Sequence, residues 1–411
     1  MRMSNLLVVI PTRNRADFAI NAIRSVASQS DCKVLVSDNS TDPLEQQKLS
    51  NYANENYRSQ VTYVRPPKSL AMTPHWDWAM QNAMGIKDIT HVTYLTDRMM
   101  FLQGAVLELL DLLATYRDKP LSFGNDSVKD GTMPVVLCQR GQSGKLYKIE
   151  SSHLLEQFAD VNIVYPALPR LMNSAVPVEL IKGLHSRYGN YFASVSPDFN
   201  FAFRILREVG SVYYYDRSLM VDYGVYRSNG NNFPYGVLNK EAKDFSDNLE
   251  TEAVSFPTPV DTIAIVPNCI LHEYVEVANS SSDSKFPQID QSRYLTFLVR
   301  SVYQYQNPES RERMLKQLRA HLGRTSILWY RLRSAGRRLS NSARIRWHNL
   351  RKPDQPYISF RSFDSVDAAL SFANQRRAVN PGYGDITKER FGGYGKGVTT
   401  LLEYPPTEPS I

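Results

Sequence analysis

A buried-looking run, Leu6 to Ile10, ends in Pro11-Thr12-Arg13-Asn14-Arg15, where polar groups open a helix. Backbone N–H groups at such a strand-to-helix turn, with arginines beside them, suit an anionic nucleotide. A second apolar run, Val34 to Val36, ends in Ser37-Asp38. An acid at that strand end can accept hydrogen bonds from a base or ribose; taken alone, Asp38 also reads as a turn or cap residue. A later run, His91 to Leu95, ends in Thr96-Asp97-Arg98. Further on, Pro197-Asp198 opens a helix with an apolar face of Phe199, Ala202, Phe203 and Leu206. An acid there complements the helix dipole whatever else it does. The fingerprint GxGxxG is absent, which argues against a dinucleotide-dependent dehydrogenase.

The elements that must position these residues alternate. Strands are expected at Leu6 to Ile10, Val34 to Val36, Val61 to Val64 and His91 to Leu95. Between them, Ala19, Ile23, Val26 and Ala27 recur at helical spacing. Asp42-Pro43-Leu44-Glu45 reads as an N-cap, a first-turn proline and a capping glutamate for a helix reaching about Tyr57. Pro74 to Met84 forms the third helix, with Trp78 and Ala79 expected inward. This order predicts an α/β doubly wound, mostly parallel sheet, and in such sheets ligands sit at the carboxyl ends of the strands. Further helices are expected at Gly104 to Tyr116, Ser151 to Phe158, Val176 to Tyr188 and Asp198 to Val209, with strands or loops at 135–149 and a strand at Val212 to Tyr215.

The motifs together resemble the opening of inverting family 2 glycosyltransferases of the GT-A fold. The resemblance rests on Ile10-Pro-Thr-Arg-Asn-Arg15, Ser25-Val-Ala-Ser-Gln29 and Val36-Ser-Asp-Asn-Ser40, and extends over about residues 5–230. It implies nucleotide-binding roles for Thr12, Arg13 and Asp38. It also implies that Thr96-Asp97-Arg98 occupies the family's DxD-type motif, whose last acid holds the divalent cation that neutralises the diphosphate. Here that position is Arg98. Two readings stay open: Arg98 supplies the positive charge while Asp97 holds the ribose or orients Arg98, or Mn²⁺ or Mg²⁺ is held with Asp97 as its sole protein carboxylate. A surface Asp-Arg pair without a catalytic role is the plain alternative. The resemblance makes Asp198 the candidate base that deprotonates the acceptor. It sets His75 and Trp76 in Ser69 to Trp78 beside the donor or acceptor pocket, although Trp76 equally suits the core and His75 a cap. It places Arg227 in a loop over the diphosphate, where an ordinary solvated arginine is the competing reading.

The 411 residues are 42% hydrophobic and 22% charged, enough for a large core and against disorder. Cys32, Cys138 and Cys269 are scattered, so no zinc or disulfide framework is expected and a cytoplasmic setting is the default. No run reaches the roughly 18 apolar residues of a membrane span. The net charge is +7, but residues 311–352 hold thirteen Lys and Arg against Glu312 alone, leaving the remainder acidic. Leucines and tryptophans interleave with those arginines, and Gly323 and Gly336 are expected to break the segment. Basic amphipathic helices with Trp lie on anionic membranes. A helical hairpin packed on the catalytic domain, with a charged outer face, is the alternative, and no nucleic-acid motif accompanies the segment.

The expectations are therefore a catalytic domain at 1–235, a mixed helix and loop extension at 236–310 with a soft linker at 280–284, the basic helical segment at 311–352, and a small C-terminal region at 353–411. The chain is expected to move a sugar, of hexosyl type, from a nucleotide-sugar donor to a glycan or lipid-linked glycan hydroxyl with inversion. The setting expected is polysaccharide or cell-surface glycan assembly, in the cytoplasm or on the inner face of the membrane. A sugar nucleotidyltransferase would carry a glycine-rich loop after the first strand, and Pro-Thr-Arg-Asn-Arg is not one. A non-catalytic scaffold derived from a transferase is the second rival, and donor hydrolysis would separate it.

Overall fold

The structure is a computed structural model and describes residues 5–162, 165–237, 243, 245–247, 254–280, 285–375, 379–383 and 397–403. Residues 281–284, most of the expected linker, lie outside the described residues.

Strand β1 (Leu6–Thr12) is buried along its whole length. Its side chains alternate between two cores, Leu6, Val8 and Ile10 to one side and Leu7 and Val9 to the other. That is why it reads as a continuous apolar run: both faces of a parallel strand are covered. It pairs in parallel with β2 (Lys33–Asp38) and β4 (His91–Tyr94), and β2 pairs in parallel with β3 (Val61–Val64). Helices α1 (Ala16–Ala27), α2 (Pro43–Asn56) and α3 (Met72–Met84) connect these strands, and α4 (Ala105–Thr115) comes next. In α3 the inward residues are His75, Trp76, Ala79, Met80 and Ala83. Trp78, expected inward, is half-exposed, because the buried stripe runs one residue out of phase with it.

Glu45 corrects another expectation. Asp42 does cap α2, accepting from Leu44 N at 2.9 Å. Glu45 instead reaches across and accepts from Ala16 N at 2.5 Å, so it caps α1. This ties the turn after β1 to the turn after β2. Asn14 completes the tie in a left-handed conformation, φ 54°. Its N–H donates to Ser40 Oγ, and its Oδ1 accepts from Thr41 N and Asp42 N. Asn tolerates this region because its short amide satisfies the local backbone.

The short antiparallel strand β9 (Ser174–Pro177) joins this parallel half to a mixed half. There β6 (Leu121–Lys129) runs parallel to β10 (Ser211–Asp222), and β10 also pairs antiparallel with β5 (Met99–Phe101) and β8 (Lys145–Glu150). Strand β10 is longer than the expected Val212 to Tyr215. Its mid-strand Asp216 is buried and accepts from Ser143 N, Ser143 Oγ and Tyr214 Oη at 2.7–3.1 Å, which offsets the cost of a charge in the sheet. The C-terminal region returns to the sheet. Strand β11 (Ile358–Phe363) pairs with β7 (Val135–Arg140), and β12 (Val398–Glu403) pairs with β8. Among the described residues this makes a twelve-stranded sheet.

Helix α7 (Pro197–Glu208) comes after α5 (Ser151–Ala159) and α6 (Val178–Tyr188). It is apolar on two sides. Phe199, Ala202, Phe203 and Leu206 enter one core, as expected, while Phe201 and Ile205 enter another. The first of these cores is completed by α8 (Val266–Asn279), α9 (Gln291–Gln304) and the first part of α10 (Pro308–Arg351). The expected break in α10 occurs at Gly323, whose φ of 72° is outside the helical range. Gly336 leaves the helix intact. Helix α11 (Val366–Asn374) begins at Ser365, whose hydroxyl accepts from Ala368 N. No helix among the described residues is long and apolar enough to cross a membrane.

Candidate active site

The carboxyl ends of β1, β2 and β4 open onto a cavity of about 680 Å³. Thr12, Arg13, Arg15 and Asn39 line one end of it, with Thr96, Asp97 and Arg98 beside them. Asp198, at the start of α7, lines the same cavity, as do His75, Trp76 and Arg227. Eight of the nine residues singled out from the sequence thus face one space. Asp38 does not. It is fully buried behind the wall, accepting from Ser40 N at 2.8 Å and Tyr63 Oη at 2.7 Å, so it braces the strand end. Its neighbour Asn39 lines the cavity instead and exchanges two hydrogen bonds with the backbone of Leu70.

Asp97 is buried, and both its oxygens are engaged. Thr12 Oγ1 donates to Oδ2 at 2.9 Å, and Arg15 Nη1 approaches Oδ1 at 3.4 Å. Arg15 also donates to the carbonyl of Arg227 at 2.7 Å, fastening the 225–228 turn over the site. The Thr96 hydroxyl is buried and has no hydrogen-bond partner among the described residues. Arg98 donates to the carbonyl of Tyr223 at 3.2 Å and to Ser228 Oγ at 2.9 Å. Burial lowers its pKa from the ordinary value, while Asp97, Asp222 and Asp130 raise it. A guanidinium carries five N–H donors, so these contacts orient Arg98 without exhausting it. The turn that receives it needs Gly224, whose φ is 64° and whose missing Cβ would stand 2.6 Å from the Phe18 ring.

A divalent cation fits this donor set poorly. Asp97 has both oxygens committed to Thr12 and Arg15, and an arginine stands beside it. Among the described residues no three His, Cys, Asp or Glu side chains gather where an ion could be held.

His75 Nε2 lies 2.8 Å from Ser37 Oγ, and burial pulls its pKa down to about 4. It is therefore a neutral imidazole near pH 7, able to serve as one donor or one acceptor. Trp76 belongs to both the core and the cavity wall. Its ring packs on Tyr94 and Phe192 in the core, and its edge reaches the cavity. Arg227 lies over the Phe18 ring and donates to the carbonyl of Asn14.

Three charged residues escaped sequence reading. Arg170 Nη1 stands 3.3 Å from Asp198 Oδ2. Asp222, at the end of β10, lines the cavity and accepts from Asn125 Nδ2 at 2.6 Å; burial pushes its pKa up to about 6. Glu273, on α8, is fully buried and accepts from Val195 N, Ser196 N and Asn200 Nδ2 at 2.7–3.1 Å. It holds the turn that presents Asp198. The same helix lends Val266, Cys269 and Ile270 to the cavity wall.

Burial raises the Asp198 pKa, and Arg170 opposes that rise. Only the ionised carboxylate can take a proton, so activity appears as pH climbs through this pKa. The Arg170→Met variant removes the opposing charge. Its acid limb in a profile of kcat/KM against pH is expected at higher pH than in the wild type, with the alkaline side unchanged. An acid limb that stays in place would mean that Asp198 is not the titrating base.

Residues 7–132 match the family model described as glycosyl transferase family 2. Over this segment the chain is similar to glycosyl transferase family 2. The match spans β1 to β6 and so includes Thr12, Arg13, Asp38, Asp97 and Arg98, whereas Asp198 and Glu273 lie beyond it. Among solved structures, S. aureus TarS residues 1–349 in complex with UDP-GlcNAc is similar at 12% identity and a TM-score of 0.45, over 82% of this chain and 92% of that one. The same TarS fragment without ligand is similar at 14% identity and a TM-score of 0.42, with the same coverage. No match was found among curated proteins.

Proposed function

We propose that this family 2 glycosyltransferase moves a sugar from a nucleoside-diphosphate donor to a glycan hydroxyl, with inversion at the anomeric carbon. One observation carries the reading: a single cavity joins the strand-end cluster of Thr12, Asp97 and Arg98 to a carboxylate, Asp198, at the start of helix α7. Thr12, Arg13 and Asn39 hold the nucleotide. Arg98, with Arg15 and Arg227 nearby, neutralises the diphosphate. The acceptor oxygen attacks the anomeric carbon and forms the new C–O bond. The bond to the diphosphate oxygen breaks, the nucleoside diphosphate leaves, and the acceptor proton passes to Asp198. Attack from the face opposite the leaving group inverts the centre. The acceptor is a glycan or a lipid-linked glycan, in polysaccharide or cell-surface glycan assembly.

Arginine in place of a metal gives a direct test. A ligand that binds only the native state at about 100 times its Kd stabilises it by about 2.7 kcal/mol. The melting temperature is expected to rise with one nucleoside diphosphate, to rise equally in EDTA, and to stay flat in Arg98→Ala. A rise that requires Mn²⁺ or Mg²⁺ would overturn the arginine assignment. No rise with any nucleoside diphosphate would overturn the transferase reading and favour a glycan-binding scaffold.

A further inference from the structure

Beyond the cavity, the second arm of α10 presents a surface that the transfer chemistry does not use. After the break at Gly323 the helix continues to Arg351. Its inward side is formed by Ile327, Tyr330, Ser334 and the half-buried Ile345, and His348 and Asn349 bond to the segment that follows. Six large apolar side chains stand outward: Leu328, Trp329, Leu332, Leu339, Trp347 and Leu350 are each 52–78% exposed. At 3.6 residues per turn these six fall within an arc of about 100°, roughly opposite the inward face. They form one stripe, which the exposed Arg346 enters once between Leu339 and Leu350. Arg333 lies over the ring of Trp329 and Arg351 over that of Trp347, at 5.0 and 4.4 Å, so cations flank the rings. By helical spacing Arg337 and Arg344 follow on the same side and Arg331 and Arg338 on the other; Arg331 lies over the Tyr303 ring at 4.1 Å and Arg344 over the Tyr357 ring at 5.8 Å.

We infer that this arm lies in the interface of an anionic lipid bilayer, with the Leu/Trp stripe in the acyl boundary and the flanking arginines on lipid phosphates. The combination selects that occupant. Exposed leucines and tryptophans are stabilised by leaving water, and cations on both flanks are stabilised by negative headgroups. A second copy of the chain is disfavoured, because pairing two such arms would bring arginines against arginines. The only acid between 311 and 352, Glu312, precedes the break. A nucleic acid would satisfy the arginines and leave the apolar stripe in water.

The test is flotation of the full chain with vesicles of phosphatidylcholine alone or containing phosphatidylglycerol, at low and raised salt. Binding is expected to the anionic vesicles at least roughly tenfold above the neutral ones, and to weaken with salt. Leu332→Glu with Leu339→Glu alters two exposed positions, so the melting temperature should not move, while vesicle binding falls by at least roughly tenfold. Arg337→Glu with Arg344→Glu is expected to abolish the preference for anionic vesicles. Wild-type protein that ignores anionic vesicles, or a stripe variant that floats like the wild type, would overturn the inference. So would a concentration-dependent dimer lost in the stripe variant with flotation unchanged, or duplex DNA bound in preference to vesicles.

Discussion

Asp198→Asn is expected to lower turnover by roughly 10²–10⁴-fold, the usual contribution of a positioned base. The amide keeps the size of the carboxylate but cannot take a proton. The melting-temperature rise with nucleoside diphosphate should remain, because the donor contacts lie at the strand ends and Asp198 at the helix start. Single-turnover transfer measured beside the nucleotide-induced shift separates the two. If turnover in Asp198→Asn stays within a few-fold of the wild type, the base is another residue. Asp222, whose pKa is pushed up to about 6 by burial in the same cavity, is then the next to replace.

Glu273→Ala carries the second large effect, and it falls on the fold and the chemistry together. Removal of this carboxylate leaves the N–H groups of Val195 and Ser196 and the amide of Asn200 without their acceptor in a buried place. Each unsatisfied donor costs about 1–3 kcal/mol, so a loss of about 3 kcal/mol or more is expected from denaturant unfolding. Glu273→Gln retains acceptor oxygen but turns an amide toward the same donors, and it should recover only part of that loss. Both variants should also lose a pH dependence that a mere loss of packing would leave in place. Burial pushes the Glu273 pKa up to about 8, against these hydrogen bonds. A carboxyl whose pKa is higher folded than unfolded binds more protons in the native state, so stability falls as pH rises from about 4.5 towards 8. That slope should be present in the wild type and missing in Glu273→Gln. Equal slopes in both would assign the pH dependence to other groups.

The strand-end part of the cavity is largely legible in the order of the residues. Strands ending in Thr12 and Tyr94 announce themselves by short apolar runs, and the polar residues just after each run must stand at the carboxyl edge of the sheet. Local signals also locate Asp198, since proline and then an acid before an apolar face marks a helix start. Asp38 shows where such reasoning stops. It sits at the right strand end, yet Tyr63 and Ser40 claim its oxygens, and its neighbour Asn39 takes the cavity position. Glu45 shows the same limit, since a capping sequence does not say which of two adjacent helix ends it will cap. Arg170, Asp222 and Glu273 had no local signal. Each meets its partner across a long stretch of chain. Asp222 was further hidden because β10 carries Asp216 and Arg217 in mid-strand, where the pairing with β6 shifts register. The edge strands β11 and β12 were missed because one face of each is open to water, so neither shows a buried run.

The wall built by α8 bears on how such an enzyme can change. The strand-end side of the cavity, proposed above to hold the nucleotide, is encoded mostly before residue 132, within the segment that matches the family model. The side next to Asp198 is encoded partly after residue 265, by Val266, Cys269 and Ile270. Inheritance can therefore act on the two sides separately. Substitutions in α8 can reshape what is admitted beside the base while the donor cluster is left alone, provided Glu273 keeps its grip on the turn at Ser196. Recombination that exchanged α8 without Glu273 would break that turn. The acid thus marks the boundary between the part of the helix that is free to vary and the point that keeps an exchanged helix in working register.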